Sequence, residues 1–350
     1  MSGFELVATL CLAGLCAARV IPAPVPQSED ACIASAETIV ENWRKTRPGG
    51  TVDAMDCVPL EDLAGQAAAV IETAPGHFVH FGQVETMGPG SVGDFANTGF
   101  IIGTEAVAVI DTGTTRALGE ALYLAIRQQT DLPIKWLILT HMHPDHALGA
   151  DVFHEAGAEL VGAQALNRSL SLRADPYLTN MDRLLGADVM HGTTVVFADR
   201  LVTDRLHLDL GDRVLELEAH ETAHTDNDLT VFDRQSGTLW TGDLVFLEHT
   251  PALDGSINGW IRVLENLPDI PATQLVPGHG RMVHSHPAGT QPTLAYLRGL
   301  RDQVRQAIAD GESLNTALRH LGLGLEAKWH LFHEFNPRNA TNAYVELEWE

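Results

Sequence analysis

Basic side chains are scarce in this 350-residue sequence: 22 Lys and Arg stand against 46 Asp and Glu, and the formal net charge is −24. A surface this acidic repels the phosphates of nucleic acids and the anionic headgroups of lipids. We therefore expect no nucleic acid as a partner and no polybasic docking to a membrane surface. Hydrophobic residues make up 45% of the chain, which is typical of a globular protein.

The apolar run near the N-terminus is too short to cross a bilayer as a helix. This run, LVATLCLAGLCAA at residues 6–18, has 13 residues and ends in small side chains, as the central part of a secretory signal does. We predict that residues 1–18 are a signal peptide, so that the protein is exported and has no stable membrane insertion after signal removal. A buried N-terminal helix is the alternative.

Cysteine is also rare, with four residues in the chain. Removal of residues 1–18 takes away Cys11 and Cys16 and leaves Cys32 and Cys57, an even pair in an exported protein. We predict that this pair forms a disulfide closing an N-terminal segment of residues 19–66. Two buried free thiols are the alternative.

The rest of the chain alternates between strand-like and helix-like segments. HFVHFGQV, FANTGFIIG and AVAVID are short, β-rich and bounded by glycine, and a helical segment at about residues 115–129 leads to the strand IKWLILT. These patterns predict an α/β domain of residues 67–288, followed by a C-terminal helical extension of residues 289–350.

The clearest motif for chemistry is HMHPDH, at residues 141–146 directly after the strand IKWLILT. In an extended loop His141 and His143 point the same way, because side chains repeat every two residues, while Asp145 and His146 fall at the start of the next helix. Imidazole and carboxylate ligands suit zinc or another borderline metal. We therefore predict a metal site here.

A second motif, HETAH at residues 220–224, matches the H-E-x-x-H signature of zinc proteases. That signature binds zinc only on a helix. Here it follows the alternating segment RVLELEA and precedes TDND, which is typical of a turn. We interpret His224 alone as a ligand, from a loop at the end of a strand.

Two more candidates also lie at predicted strand ends. Asp243 ends the strand TLWTG, and His279 lies in PGHG after the strand TQLV. Each is typical of a turn or a tight loop when taken singly, but their order along the chain after His224 suggests one shared site.

The segment from Thr140 to His146, followed by His224, Gly242-Asp243 and Gly278-His279-Gly280, resembles the metallo-β-lactamase superfamily over about residues 70–285. The resemblance implies a four-layer αβ/βα sandwich, two mixed sheets with helices outside, and a metal centre along one sheet edge. By this resemblance, a first metal would be bound by His141, His143 and His224. The same resemblance gives a second metal to Asp145, His146 and His279, with Asp243 bridging the two.

Two of these positions bear on the class of enzyme. With an aspartate at position 243, the sequence is similar to glyoxalase II and related thioester or ester hydrolases. The β-lactamases of this fold generally lack an aspartate at that position. A histidine at position 143 differs from the flavodiiron reductases, which place glutamate there.

A narrower likeness extends over nearly the whole chain. The N-terminal segment, HFVHFGQVE, GDFANTGFIIG, VIDTG and the ending NATNAYVELEWE resemble exported quinoprotein relay system zinc metallohydrolases, which are similar to sulfur-oxidation-linked metallohydrolases. This resemblance implies a periplasmic location and an association with quinoprotein dehydrogenase systems, but no particular substrate.

From these features we predict a hydrolase with two divalent metal ions, zinc in the first place and iron or manganese as alternatives. Hydroxide generated at the metals would attack a small ester, thioester or lactone, and Asp145 or Asp243 would manage the proton. One alternative is a mononuclear non-haem iron enzyme similar to persulfide dioxygenases. The seven predicted ligands argue against it, because one iron needs only three. The other is a non-catalytic accessory protein of a quinoprotein dehydrogenase.

Three further expectations concern the surroundings of the metals. By family resemblance Asp111 is placed to hydrogen-bond a metal-binding histidine, and its alternative role is to cap the helix that starts near Thr115. The glycine-rich loop 85–94 is either a substrate flap or a plain surface hairpin. Histidines without a motif, including His249, are expected to be structural or on the surface.

Overall fold

The computed structural model describes residues 3–47, 49–281 and 285–350. Its strands are β1 (Phe4–Leu12), β2 (Leu15–Ile21), β3 (Thr51–Pro59), β4 (Ile71–Ala74), β5 (His77–His80), β6 (Thr98–Ile102), β7 (Val107–Ile110), β8 (Ile134–Ile138), β9 (Glu159–Ala163), β10 (Arg200–Val202), β11 (Arg205–Asp209), β12 (Val214–Ala219), β13 (Leu229–Asp233), β14 (Thr238–Phe246) and β15 (Gln274–His279).

The α-helices are α1 (Glu29–Thr46), α2 (Leu60–Leu63), α3 (Arg116–Gln129), α4 (Pro144–Ala147), α5 (Asp151–Glu155), α6 (Leu166–Leu185), α7 (Ile257–Asn266), α8 (Gln291–Ala309), α9 (Leu314–Ala317) and α10 (Phe332–Leu347). Among the described residues, no helix has both the length and the apolar character that crossing a membrane requires.

Two mixed sheets pack face to face in the middle of the molecule. One has the strand order β10-β9-β8-β7-β6-β5-β4, and the other has the order β11-β12-β13-β14-β15. Strand β7 shows why they pack this way: all four of its residues are buried, so both of its faces must be covered. Ile110 of β7 belongs to the same apolar cluster as Val231 and Trp240 of the opposite sheet.

Helices cover the outer faces of both sheets. Val109 of β7 packs in a cluster with Tyr123 of α3 and Phe153 of α5. On the other side, α7, α8 and α10 contribute to the cluster that covers the five-stranded sheet. The predicted four-layer α/β sandwich with a C-terminal helical tail is therefore confirmed, and the tail belongs to the outer layer.

A third, smaller sheet forms the N-terminal unit, with the strand order β2-β1-β3. Helix α1 packs on it, and Leu6, Ala8, Leu10 and Trp43 are in its buried core. A disulfide joins Cys32 to Cys57, and so ties α1 to β3. This predicted bond is confirmed.

The apolar run for which the sequence predicts a signal peptide forms a strand pair in the structure of the full-length chain. Strands β1 and β2 pair in antiparallel register from Leu6 opposite Ile21 to Leu12 opposite Leu15. Ala13 and Gly14 form the turn with φ of 50° and 86°, and Cys11, directly opposite Cys16, forms a second disulfide. In the full-length chain the three-stranded sheet includes β1, whose residues alternate largely between a buried face and a less buried one. Removal of residues 1–18 as a signal peptide stays a prediction.

Candidate metal centre

The predicted ligands come from loops and strand ends at one edge of the two central sheets. Strand β8 ends four residues before Met142, and α4 begins directly after His143 with Pro144 in its first turn. Asp243 lies in β14 where the pairing with β15 shifts register. Gly278 of β15 must lack a side chain, because a Cβ there would collide with the Asp243 carboxylate.

Three imidazoles and one carboxylate oxygen form the first group. Nδ1 of His143 lies 3.1 Å from Nε2 of His141 and 3.0 Å from Nε2 of His224. Oδ2 of Asp243 lies 3.3 Å from Nε2 of His224 and 3.7 Å from Nε2 of His141. The sequence-predicted first ligand set is therefore brought together, in an arrangement that fits one cation.

The second group adjoins the first through the other oxygen of Asp243. Oδ1 of Asp243 lies 3.1 Å from Nε2 of His146 and 3.4 Å from Nε2 of His279. Oδ2 of Asp145 lies 3.3 Å from Nε2 of His279. All seven predicted ligands thus converge, and the Asp243 carboxylate faces both groups.

Hydrogen bonds on the far side of the rings fix which nitrogens face the centre. Nδ1 of His224 donates to the Ala252 carbonyl at 2.5 Å, and Nδ1 of His279 donates to the Phe95 carbonyl at 3.0 Å. A carbonyl oxygen only accepts, so each Nδ1 carries the proton and each Nε2 presents a lone pair. Nε2 of His143 lies 3.2 Å from the Asp254 carboxylate.

Asp111 sets the orientation of His146 in the same way. Its Oδ2 lies 2.8 Å from Nδ1 of His146 and accepts from the Thr140 hydroxyl at 2.7 Å. The cap of α3 is the side chain of Thr115, and not that of Asp111. The contact implied by the family resemblance is thus present, and the alternative capping role is not.

Two buried atoms in this centre suit a cation. Nε2 of His146 and Oδ1 of Asp243 have no hydrogen-bond partner within the described part of the chain. A buried acceptor without a partner costs about 1–3 kcal/mol. Clustered imidazole and carboxylate acceptors are the chemistry that zinc and similar divalent ions prefer, so the residues fit the predicted metals.

The charge states of Asp243 and His224 suit metal binding. Burial alone would raise the pKa of Asp243, but the surrounding imidazoles of His279, His146 and His141 outweigh burial and hold this pKa well below its ordinary value. Burial lowers the pKa of His224 to about 3. The carboxylate is therefore anionic and this imidazole neutral near pH 7, which are the forms that bind cations.

The metal-like motif at residues 220–224 is not a second centre. The residues between β12 and β13 form bends, and not a helix. His220 lies 2.9 Å from the Thr230 hydroxyl, and Glu221 pairs with Arg262 at the surface. Of this motif only His224 enters the metal centre, as predicted.

A cavity of about 570 Å³ opens over the two groups. Asp145, Asp243 and His279 line it at the metal centre. Its other walls come from α6, from the loop between β5 and β6, and from α10. These lining residues include Arg173, Tyr177, Met87, Phe95, Phe335 and Arg338.

The predicted flap takes part in this cavity. Glu85 and Met87 line it, and the Thr86 hydroxyl donates to Glu334 of α10 at 2.9 Å. The loop therefore overhangs the site and contacts the C-terminal helix, which favours the flap over a plain surface hairpin.

Two residues beside the cluster of candidate ligands were not predicted from the sequence. Asp254 contacts His143 as described, and it lies in a loop with no motif. His249 lines the cavity, with its ring centroid 4.9 Å from that of His279, whereas we expected a structural or surface residue. Its proximity in sequence to Asp243 is the one signal that points to it.

The family of the chain follows from comparisons with known proteins. A family model described as the metallo-beta-lactamase superfamily matches residues 91–279, more than half of the chain. The curated beta-lactamase-like protein 2 homolog of Caenorhabditis elegans is 22% identical over 228 residues. That match covers 64% of this chain and 65% of the relative, so the chain spans about two thirds of the relative's length.

Solved structures share the fold. The metallo-beta-lactamase from Pontibacter korlensis is 20% identical with a TM-score of 0.53, and the match covers 66% of this chain and 98% of that one. The inverting sec-alkylsulfatase Pisa1 from Pseudomonas sp. is 15% identical with a TM-score of 0.61, and the match covers 80% of this chain and 50% of that one. Together with the family match and the converging histidines and aspartates, these findings show that the chain belongs to the metallo-beta-lactamase superfamily of metal-dependent hydrolases.

Proposed function

We propose that the protein is a dinuclear metallohydrolase that holds two divalent cations, most suitably zinc. One observation carries this proposal: the two oxygens of Asp243 face different sets of imidazoles. Oδ2 is near His141 and His224, whereas Oδ1 is near His146 and His279. A carboxylate arranged in this way can bridge two cations, while a single iron site would leave one of these sets unused.

When bound, the two cations would supply a water that loses its proton near neutral pH and is then a nucleophile for a carbonyl carbon. Asp243 and Asp145 would have different roles in this reaction. The Asp243 side chain is only 4% exposed and would hold the cations in place. The Asp145 side chain is 17% exposed, lines the cavity and can exchange a proton with the reacting molecule.

The substrate class that we propose is a small ester, thioester or lactone. The cavity has room for a small molecule and combines apolar walls, such as Met87 and Phe335, with polar groups at the metal centre. The bridging position of Asp243 is the feature that the chain shares, by resemblance, with thioester and ester hydrolases.

We further propose that the protein works in the periplasm beside a quinoprotein dehydrogenase. Both cysteine pairs are disulfide-bonded, and disulfides persist in oxidising compartments. The N-terminal hairpin is folded, so the proposal of export rests on the disulfides, while the quinoprotein association rests on the sequence resemblance. Deletion of the gene should impair growth on alcohols, and normal growth would contradict the association.

Metal analysis of the purified protein tests the central proposal. We expect about two zinc ions per chain and about one after Asp243→Asn, because the amide lacks the charge that neutralises two cations. Asp233→Asn is the matched control, since Asp233 is also fully buried in the same sheet but contacts Ser236 and Arg213 in place of the ligand histidines.

The two alternatives give different results. About one iron per chain in the parent protein would favour the mononuclear iron enzyme. Two metals without turnover of any ester, thioester or lactone would favour the accessory protein. For the hydrolase, kcat should fall at least a hundredfold in Asp243→Asn and stay within about twofold in the control.

A further inference from the structure

His249 lies on a segment that is tied to the C-terminal part of the chain. Strand β14 ends at Phe246, and three residues later His249 forms an isolated bridge with His330. The Thr250 backbone and hydroxyl both donate to the His330 carbonyl, at 3.0 Å and 2.7 Å. The backbone of His249 is therefore fixed from the opposite end of the sequence.

Each of the two bridged histidines is next to a residue with an unfavourable backbone conformation. Glu248 and Leu331 adopt φ of 65° and 59°, in the left-handed region that non-glycine residues seldom occupy. Such conformations persist where surrounding contacts hold them, and they concentrate at functional sites. This segment thus keeps His249 in one place at the expense of local backbone strain.

The ring of His249 is held as firmly as its backbone. It packs 4.6 Å from Phe335 and 4.9 Å from His279, measured between ring centroids. Nδ1 lies 2.6 Å from the Thr250 carbonyl. Because a carbonyl only accepts, Nδ1 carries the proton and Nε2 presents a lone pair.

That lone pair is the acceptor through which the His249 ring can contact a ligand. Nε2 of His249 contacts no hydrogen-bond donor in the described residues, although the side chain is largely buried and lines the cavity beside Asp145 and Asp243. A fixed acceptor in a binding cavity discriminates between ligands with and without a matching donor.

We propose that His249 is a substrate-binding residue whose Nε2 accepts a hydrogen bond from the substrate, so that the site prefers esters or thioesters with a hydroxyl or N–H group close to the scissile carbonyl. This inference rests on the proposed hydrolase function and adds the donor group to its substrate class. The donor would select the substrate, because the cations, when bound, would polarise the carbonyl of either kind of substrate.

The test compares substrates that differ by one hydroxyl: the hydroxyacetyl and the acetyl thioester of the same thiol, with the zinc-loaded full chain. His249→Phe keeps an aromatic ring between Phe335 and His279 and removes the acceptor. We expect kcat/KM for the hydroxyacetyl thioester to fall about tenfold. The value for the acetyl thioester should change less than twofold. His249→Gln, which retains an acceptor, should recover part of the loss.

A second measurement keeps this test separate from that of the hydrolase. Hydroxyacetate and acetate are titrated calorimetrically into the zinc-loaded protein, which needs no turnover. Affinity for hydroxyacetate alone should fall in His249→Phe. Equal losses for both ligands, or a loss of zinc from His249→Phe, would overturn the proposal and assign His249 a structural role. Absence of turnover in the parent protein, with the selective binding intact, would count against the hydrolase only.

Discussion

Glu5 is a carboxylic acid in an environment that disfavours its charge. Its side chain, on β1, is buried, accepts from the Tyr123 hydroxyl at 2.6 Å and accepts from the Ala23 amide at 3.3 Å. Burial raises the pKa of Glu5 to about 7, although these hydrogen bonds and Arg127 oppose the rise. In the unfolded chain the pKa is near 4.5, so the folded protein binds the proton more tightly.

This difference makes stability depend on pH. A raised carboxyl pKa favours the folded state at low pH, and that contribution is lost as pH rises from about 4.5 to about 7. Between about pH 5.5 and about pH 8.5 we expect the free energy of unfolding to fall by about 2 kcal/mol more in the parent protein than in Glu5→Gln. Urea unfolding of both proteins at the two pH values measures this change in the free energy of unfolding. Parallel pH profiles for the two proteins would contradict the prediction.

Individual residues of the metal centre differ in how far the sequence predicts them. The seven ligands occur at the ends of predicted strands in motif order, so their convergence follows from the way strands share an edge. His249 has no motif. Its place in the cavity depends on the His330 carbonyl and on Phe335 of α10, contacts that only the folded chain creates.

Among the elements, the N-terminal hairpin was the hardest to predict. An uninterrupted apolar run does not distinguish a strand from a helix or a leader. The informative feature is that the paired Cys11 and Cys16 flank the Ala13-Gly14 turn, with Gly14 supplying a positive φ of 86°. Helix α3 and strand β8 were easier, because their apolar spacing is regular.

Two leucines of this hairpin test whether it is a permanent part of the fold. Leu10 is fully buried against the core of the N-terminal unit, whereas Leu15 is 41% exposed. Leu10→Ala should lower the free energy of unfolding by about 2–5 kcal/mol, and Leu15→Ala should change it by less than about 0.5 kcal/mol. Urea unfolding of the two variants and the parent protein measures both changes in the free energy of unfolding. If residues 1–18 were removed in the mature protein, neither substitution would have any effect.

At the scale of the whole molecule, the apolar patterns of the strands and helices predicted a mixed α/β domain, and the four layers were implied by the family resemblance. The attachment of the N-terminal unit was not predicted. It depends on Arg116 of α3, a fully buried guanidinium that reaches the Val20 carbonyl of β2 at 2.8 Å. Pairing between groups so distant in sequence leaves no local pattern to detect.

Three carboxylates surround Arg116. Its nitrogens lie 2.7 Å from Glu120, 3.0 Å from Asp151 and 2.7 Å from Glu155. Arg47, at the end of α1, pairs with Asp151 and Glu155 as well. The cluster therefore joins α1 and β2 of the N-terminal unit to α3 and α5 of the main body.

Removing the guanidinium should loosen this junction. Arg116→Met keeps much of the side-chain volume but removes the guanidinium that pairs with the buried Glu120 and leaves Asp151 and Glu155 with Arg47 alone. We expect the free energy of unfolding to fall by about 3–5 kcal/mol. Arg298→Met is the matched control, because the Arg298–Glu265 pair is 47% and 43% exposed and should contribute at most about 1 kcal/mol. Urea unfolding measures both variants. Equal losses in the two would mean that water reaches the cluster and that other contacts hold the N-terminal unit in place.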